Sequence, residues 1–176
     1  MDHFLEEIVV RRKKALYEGA YYLSNIIMVI AALIGFWMLS NLMASFSIIA
    51  LIIAVVFGGG AALLFLYRDR LRTDFEYTFT NGELDFAQVF NNKKRKNLGT
   101  MRVRNVEAFG PVTSNNFRKL INMPGIKRKN WFLNRDANLY YFYYQKEQAR
   151  TIIVMEPTDD MVSIIKKYLP HGVYQE

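Results

Sequence analysis

The residues AYYLSNIIMVIAALIGFWMLSNLMASFSIIALIIAVVFGGGAALLFLY, from Ala20 to Tyr67, contain no aspartate, glutamate, lysine or arginine. A helix needs about 20 apolar residues to cross the hydrocarbon core of a bilayer. These 48 positions are therefore enough for two crossings and too long for one. A break at Asn41–Ser45 predicts one span near Ala20–Ser40 and a second near Phe46–Tyr67. The sequence thus predicts a transmembrane helical hairpin over residues 20–67.

Basic residues flank this hairpin on its two outer sides. Arg11–Lys14 precede the first span, and Arg68, Arg70 and Arg72 follow the second, whereas the connecting turn has no basic residue. Lysine and arginine favour the cytoplasmic side of a membrane. Both termini are therefore expected in the cytoplasm, with only the turn outside.

The second span carries small residues at a spacing of four. They are Ala50, Ala54, Gly58 and Ala62. Such a stripe lets another helix approach closely. Two interpretations stay open: the two spans pack on each other, or the stripe binds a second copy or a partner helix.

The first nineteen residues suggest an N-terminal cytoplasmic amphipathic segment. Phe4, Leu5, Ile8 and Val9 fall on one side of a helix, which is typical of a segment that lies on the inner leaflet. The alternative is a simple cytosolic extension of the first transmembrane helix.

Residues 73–176 are long enough for one small cytoplasmic domain. Phe75, Tyr77 and Phe79 alternate with polar residues, and Asn81-Gly82 follows at once. That dipeptide suits a type I′ turn, because both of its central residues need a positive φ. A β-hairpin is therefore predicted at 74–90, with residues 91–97 as a polar, basic loop.

The rest of the domain contains a second hairpin pattern and a terminal helix. Leu139–Tyr144 and Thr151–Met155 are predicted to pair across Lys146–Gln148. Thr158 is a candidate helix cap before an apolar face that ends near Pro170. The predicted fold class is α+β: a small antiparallel sheet or partly open barrel, capped by a C-terminal helix.

These features resemble bacterial pleckstrin-homology-like domains tethered by a two-helix membrane hairpin, and in particular a family of small membrane proteins of unknown function. The matching pieces are Ile8-Val9 with Arg11–Lys14, Phe75-Glu76-Tyr77 with the segment 80–85, and Glu156-Pro157 before the terminal helix. The resemblance implies a bacterial cell-membrane protein with this topology and fold. It implies no catalytic residue.

Several classes of chemistry are excluded by composition. The chain has no cysteine and only two histidines, His3 and His171, at opposite ends. It therefore lacks thiolate or histidine clusters for zinc. No Gly-x-x-x-x-Gly-Lys phosphate loop and no Gly-x-Ser-x-Gly elbow is present. We expect no metal, no cofactor and no enzymatic activity.

Two basic stretches are the candidate functional residues. Basic loops beside a bilayer meet an anionic surface, where each cation contributes about 1 kcal/mol. The alternative is a pair of solvated loops with a buried tryptophan, and nucleic-acid binding is not expected. The candidates for membrane-surface or partner binding are Lys93, Lys94, Arg95, Lys96, Lys127, Arg128, Lys129 and Trp131.

The predicted function is a membrane-anchored, non-enzymatic binding or scaffold module at the cytoplasmic membrane surface, with anionic lipid as a possible ligand. One alternative is an accessory subunit of a larger membrane complex, packed through the second transmembrane helix. The other is an enzyme of a type that the sequence motifs do not reveal.

Overall fold

The computed structural model describes residues 3–146 and 149–176. The chain forms two compact units. The helical unit comprises residues 13–73 and 90–93. The sheet unit comprises residues 3–12, 74–89 and the described residues from 94 onward.

The helical unit is built on two long helices. α1 spans Lys14–Ala44 and α2 spans Ile48–Tyr67, and a short 3₁₀ turn at Arg68–Leu71 follows. Both helices are long and apolar enough to cross a membrane, by length and composition. Three residues, 45–47, connect them, so the sequence-based prediction of a helical hairpin with a short turn is confirmed. The predicted break at Asn41–Ser45 is wrong in position, because α1 continues to Ala44.

The first sheet of the sheet unit has four strands in the order β1, β2, β3, β4. β1 spans Phe4–Val9, β2 Thr73–Thr80, β3 Glu83–Phe90 and β4 Lys94–Arg102. β1 and β2 pair antiparallel, from Phe4 opposite Thr80 to Val9 opposite Phe75. The two long helices are therefore inserted, along the chain, between two adjacent strands of one sheet.

The prediction of an amphipathic helix within the first nineteen residues is wrong for Phe4–Val9, which form β1, whereas residues 14–19 belong to α1. In the strand, Leu5, Glu7 and Val9 lie on the inner face, and Phe4 and Ile8 are exposed on the outer face. The segment has apolar residues on both faces, so its spacing suits a helix as well as a strand. Pairing with β2 decides between them, since it satisfies the backbone groups of both strands.

The second sheet also has four strands, in the order β5, β7, β8, β6. β5 spans Ala108–Pro111, β6 Lys127–Trp131, β7 Tyr140–Lys146 and β8 Ala149–Met155. β7 and β8 pair antiparallel as the predicted second hairpin. The residues between them, 147 and 148, lie outside the described residues. β6 pairs parallel to β8. The α+β class is thus confirmed, with two sheets that do not close into a barrel.

Two short helices complete the sheet unit. α3 spans Asn115–Ile121 and is capped by Ser114. α4 spans Asp159–Tyr168, and the predicted cap is confirmed, because the Thr158 side chain accepts a hydrogen bond from the backbone N–H of Met161 at 3.3 Å.

The core of the sheet unit lies between the two sheets and α4. It includes Tyr77 and Phe86 from the first sheet, Phe142 from the second, and Met161 and Ile165 from α4. A second cluster on the other face of the second sheet packs against α3. The aromatic run of β7 is therefore covered on both faces.

The Asn-Gly turn between β2 and β3 is confirmed, since Asn81 and Gly82 have φ angles of 48° and 92°. An added Cβ at Gly82 would lie 2.8 Å from Cδ1 of Tyr168. Tyr168 is the last residue of α4, so the turn packs directly against this helix.

We expect Gly82→Val to lower the free energy of unfolding by more than about 2 kcal/mol, through turn strain together with overpacking against Tyr168. Gly125→Val is the matched control, because Gly125 has a φ of 75° and nothing within 4 Å of an added Cβ. Chemical unfolding of the full chain in detergent measures both variants. Equal losses would show that the Tyr168 contact contributes nothing.

Candidate functional site

The described part of the chain contains no group of three or more histidine, cysteine, aspartate or glutamate side chains that could hold a metal ion. His3 lies against α4, where Nδ1 and the Tyr168 hydroxyl are 2.9 Å apart. The remaining candidates are basic clusters and buried polar networks.

A polar cluster in the helical unit lies where α1, the end of α2 and residues 90–93 meet. Asn91 is its centre: its side chain donates to Asp69 at 2.8 Å and to the Tyr21 hydroxyl at 3.2 Å. Its backbone N–H donates to the Arg72 carbonyl at 2.6 Å. Residues 90–93 are therefore held against the base of the two helices within the helical unit.

Arg72 connects this cluster to α1. Its guanidinium donates to Asn91 Oδ1 at 3.2 Å, forms an ion pair with Glu18, and lies 3.8 Å from the centre of the Tyr21 ring. Buried or half-buried arginines are stabilised by such combined pairing and stacking. Arg72 thus links α1 to residues 90–93 within the helical unit.

Arg68, which directly follows α2, also contacts α1. Its guanidinium donates to Asn25 Oδ1. The stretch of α1 from Asn25 to Ala44 has the same number of residues as α2.

The structure divides the basic stretch 93–96 into two parts. Lys93 lies in the turn of the helical unit, whereas Lys94, Arg95 and Lys96 begin β4. The prediction of one loop over residues 91–97 is therefore wrong. Arg95 also has an acidic partner, Glu76 on β2, at 2.8 Å. The pair was missed because its two residues are distant in sequence.

Lys127, Arg128 and Lys129 lie on β6 at the edge of the second sheet, and Lys127 and Arg128 are exposed. Trp131 is only 8% exposed and packs on Phe86, with ring centroids 4.6 Å apart. The prediction that Trp131 contacts a membrane or a partner is corrected: this side chain belongs to the core. The Nζ atom of Lys129 lies 5.1 Å from the centre of the Trp131 ring.

The small-residue stripe of α2 packs partly against α1. Ala54 is buried, and an added Cβ at Gly35 of α1 would lie 2.9 Å from the backbone nitrogen of Gly58. Ala50 is half-buried and Ala62 is exposed, whereas its neighbour Ala61 is buried. Ala54 and Gly58 therefore lie at the contact with α1, whereas Ala62 is exposed at the edge of the groove between the two helices.

A buried network around Asn134 holds the chain that leaves β1. Asn134 Oδ1 accepts from the Arg12 N–H at 2.9 Å, and its Nδ2 donates to the Val10 carbonyl at 2.9 Å and to Glu156 at 2.8 Å. Glu156 also accepts from the Asn134 N–H at 3.0 Å. The Glu156-Pro157 motif noted in the sequence thus has a structural role.

Glu7 lies on the inner face of β1 and accepts a hydrogen bond from the Thr158 N–H at 3.1 Å and another from the Thr158 hydroxyl. Burial raises the pKa of the Glu7 carboxyl above its ordinary value, and the charge of Asp160 raises it further, against the opposing effect of the Thr158 hydrogen bonds. Its ionised form is therefore disfavoured by folding.

This pKa shift predicts the sign of a pH effect. A carboxyl whose folded pKa is raised stabilises the fold fully below its ordinary pKa, and this contribution is lost as pH rises through the folded pKa. Replacement Glu7→Gln removes this titration. As the pH rises from about 4 to about 7, the free energy of unfolding of the variant should therefore increase relative to that of the parent. Unfolding at both pH values measures this. A stability difference that does not change with pH would contradict the prediction.

A family model for a bacterial PH-like domain matches residues 1–175, so that it covers the two helices as well as both sheets. No curated protein and no solved structure matches the chain. PH-like domains are generally non-catalytic. The resemblance inferred from sequence is thereby confirmed: the chain belongs to the bacterial PH-like domain family DUF6106.

Proposed function

We propose that this protein is a membrane-anchored, non-catalytic binding module whose PH-like domain acts at the cytoplasmic surface of a bacterial membrane. The observation that carries the proposal is the insertion of α1 and α2 between β1 and β2, which are paired along six residues. Strands bonded to each other must lie on the same side of a membrane. The hairpin then has to cross the membrane once with α1 and return with α2.

Two short connections support this role. Residues 10–13 join β1 to α1, and residues 68–72 join α2 to β2. Four extended residues span at most about 15 Å. A domain with two such connections stays at the membrane surface, where weak binding becomes effective through high local concentration.

The charges of the helical unit favour an anionic surface. The unit carries six basic residues against two acidic ones, a net charge of +4, and all eight lie outside the uncharged stretch. The base of the helices therefore supports a cytoplasmic orientation. Lys13, Lys14 and Lys93 form no ion pair among the described residues, so we propose that they contact anionic lipid headgroups.

Reporter fusions test the topology. Fusions at residue 1 and residue 176 should report the cytoplasm, and a fusion at Phe46 should report the outside. A C-terminal fusion that is active only outside the cell would overturn the proposal.

The lipid role is tested with the full chain in detergent and soluble short-chain phosphatidylglycerol. Combined replacement of Lys13, Lys14 and Lys93 by glutamine should weaken binding at least about tenfold, because three charges contribute up to about 3 kcal/mol. The control replaces Lys127, Arg128 and Lys129 by glutamine. An equal loss in the control would show non-specific attraction.

A second candidate function is an accessory subunit of a membrane complex. Gly59 and Gly60 of α2 have nothing within 4 Å of an added Cβ, so no described contact requires glycine there. A pull-down in mild detergent tests this candidate. It is favoured if Gly59→Ala removes a co-purifying membrane protein that Gly125→Ala retains.

A further inference from the structure

β4 is an edge strand with one free side. It pairs with β3, and the described residues place no strand on its other side. Its first four residues, 94–97, are all exposed. An exposed edge presents unpaired backbone N–H and C=O groups, which can pair with another extended chain.

The basic residues on this edge differ in whether they have an acidic partner. Arg95 is paired with Glu76, and Arg102 is paired with Glu83, each at 2.8 Å. Lys94 and Lys96 take part in none of the ion pairs formed by the described residues. Because side chains alternate along a strand, Lys94 and Lys96 lie on one face of β4, and Arg95 lies on the other.

We propose that the free edge of β4 binds an extended acidic segment of a partner protein, which adds as a fifth strand to the first sheet. Backbone hydrogen bonds supply affinity in this mode, and alternate side chains supply specificity. Two acidic residues spaced two apart would lie opposite Lys94 and Lys96, as oppositely charged cross-strand pairs. The inference rests on the proposed binding role, but it requires neither membrane insertion nor lipid binding.

The alternation of charge argues for a strand over a lipid surface. A bilayer is broad and would attract the exposed Lys94, Arg95 and Lys96 together, yet Arg95 is turned to the other face and already neutralised. Lipid headgroups also offer no ladder of alternating donors and acceptors. An acidic strand can pair with the two lysines and can also form hydrogen bonds with the backbone groups of the edge.

The test uses the full chain in a neutral detergent and a fluorescent peptide of alternating glutamate and valine. The combined variant Lys94→Glu with Lys96→Glu should bind it at least about tenfold more weakly and should gain binding to a matched lysine–valine peptide. The matched control is Lys127→Glu with Lys129→Glu, which makes the same change on the edge strand β6. Its affinity should stay within about twofold of the parent.

A second peptide separates strand addition from simple attraction. The same sequence with N-methyl groups on alternate amides keeps its charge but cannot complete the ladder, so its binding should fall at least about tenfold. Equal binding of both peptides, or an equal loss in the β6 control, would overturn the proposal.

A third variant addresses the alternative that these lysines only prevent edge-to-edge aggregation. Lys94→Thr with Lys96→Thr should lose peptide binding. Increased self-association without a change in peptide affinity would overturn the proposal. Because the peptide assay contains no anionic lipid, its failure is distinguishable from failure of the lipid role, and a loss of phosphatidylglycerol binding alone in this variant would assign the lysines to lipid instead.

Discussion

A fragment that contains only residues 73–176 is expected to show no cooperative unfolding, because it lacks β1. In the full chain, β1 pairs with β2 along six residues, buries Val9 and packs Leu5 on the core. Burial of one such side chain contributes about 1.5–3 kcal/mol, and the lost ladder adds to this. A total loss of at least about 4 kcal/mol is most of the free energy of unfolding of a marginally stable domain of this size.

A linked variant provides the control for this prediction. Residues 1–12 joined to residues 74–176 by a flexible linker of about six glycine and serine residues retain β1 without the two helices. This variant also keeps the contacts of Asn134 with Val10 and Arg12. We expect it to unfold cooperatively in denaturant. Identical unfolding curves for the fragment with and without β1 would contradict the pairing seen in the structure.

The second large effect is expected at the crossing of α1 and α2. Replacement Gly35→Ala places a Cβ 2.9 Å from the nitrogen and 3.2 Å from the Cα of Gly58. Backbone atoms cannot move aside as a flexible side chain can, so the two helices must separate. We expect a loss of about 1–3 kcal/mol in hairpin stability. Within a bilayer no hydrophobic gain offsets lost packing between helices.

Gly59→Ala is the matched control for this change. It adds the same methyl group to the partner helix, where nothing lies within 4 Å. Its effect should be neutral or slightly stabilising, since alanine favours a helix over glycine by about 1 kcal/mol. Two introduced cysteines report helix separation by energy transfer during titration with a denaturing detergent, and they are unique because the chain has none. Equal losses in the two variants would exclude the close crossing.

The features that the sequence predicted correctly depend on neighbours along the chain. The absence of charge from Ala20 to Tyr67 indicates two long apolar helices, because length and composition alone decide whether a helix can span a bilayer. Asn81-Gly82 predicts the first hairpin, since few residues adopt positive φ. Thr158 predicts the start of α4 through a contact three residues away.

The errors concern pairings between distant segments. The inner residues of β1 include Glu7, whose partner Thr158 is 151 positions away, so no clean alternation of apolar residues marked the strand. Arg95 was expected in a solvated loop, but Glu76 is its partner across the sheet. Trp131 follows three basic residues, and only the packing of Phe86 against it shows that it is buried.

The sequence by itself therefore determined the two apolar helices and the hairpin of β2 and β3. The tertiary structure decided that β1 completes the sheet and that Asn91 and Arg72 join at the base of the helices. It also decided that Lys94 and Lys96 border a free strand edge. The physical reason is that composition and turn propensity act locally, whereas strand pairing and side-chain burial depend on which distant segments meet.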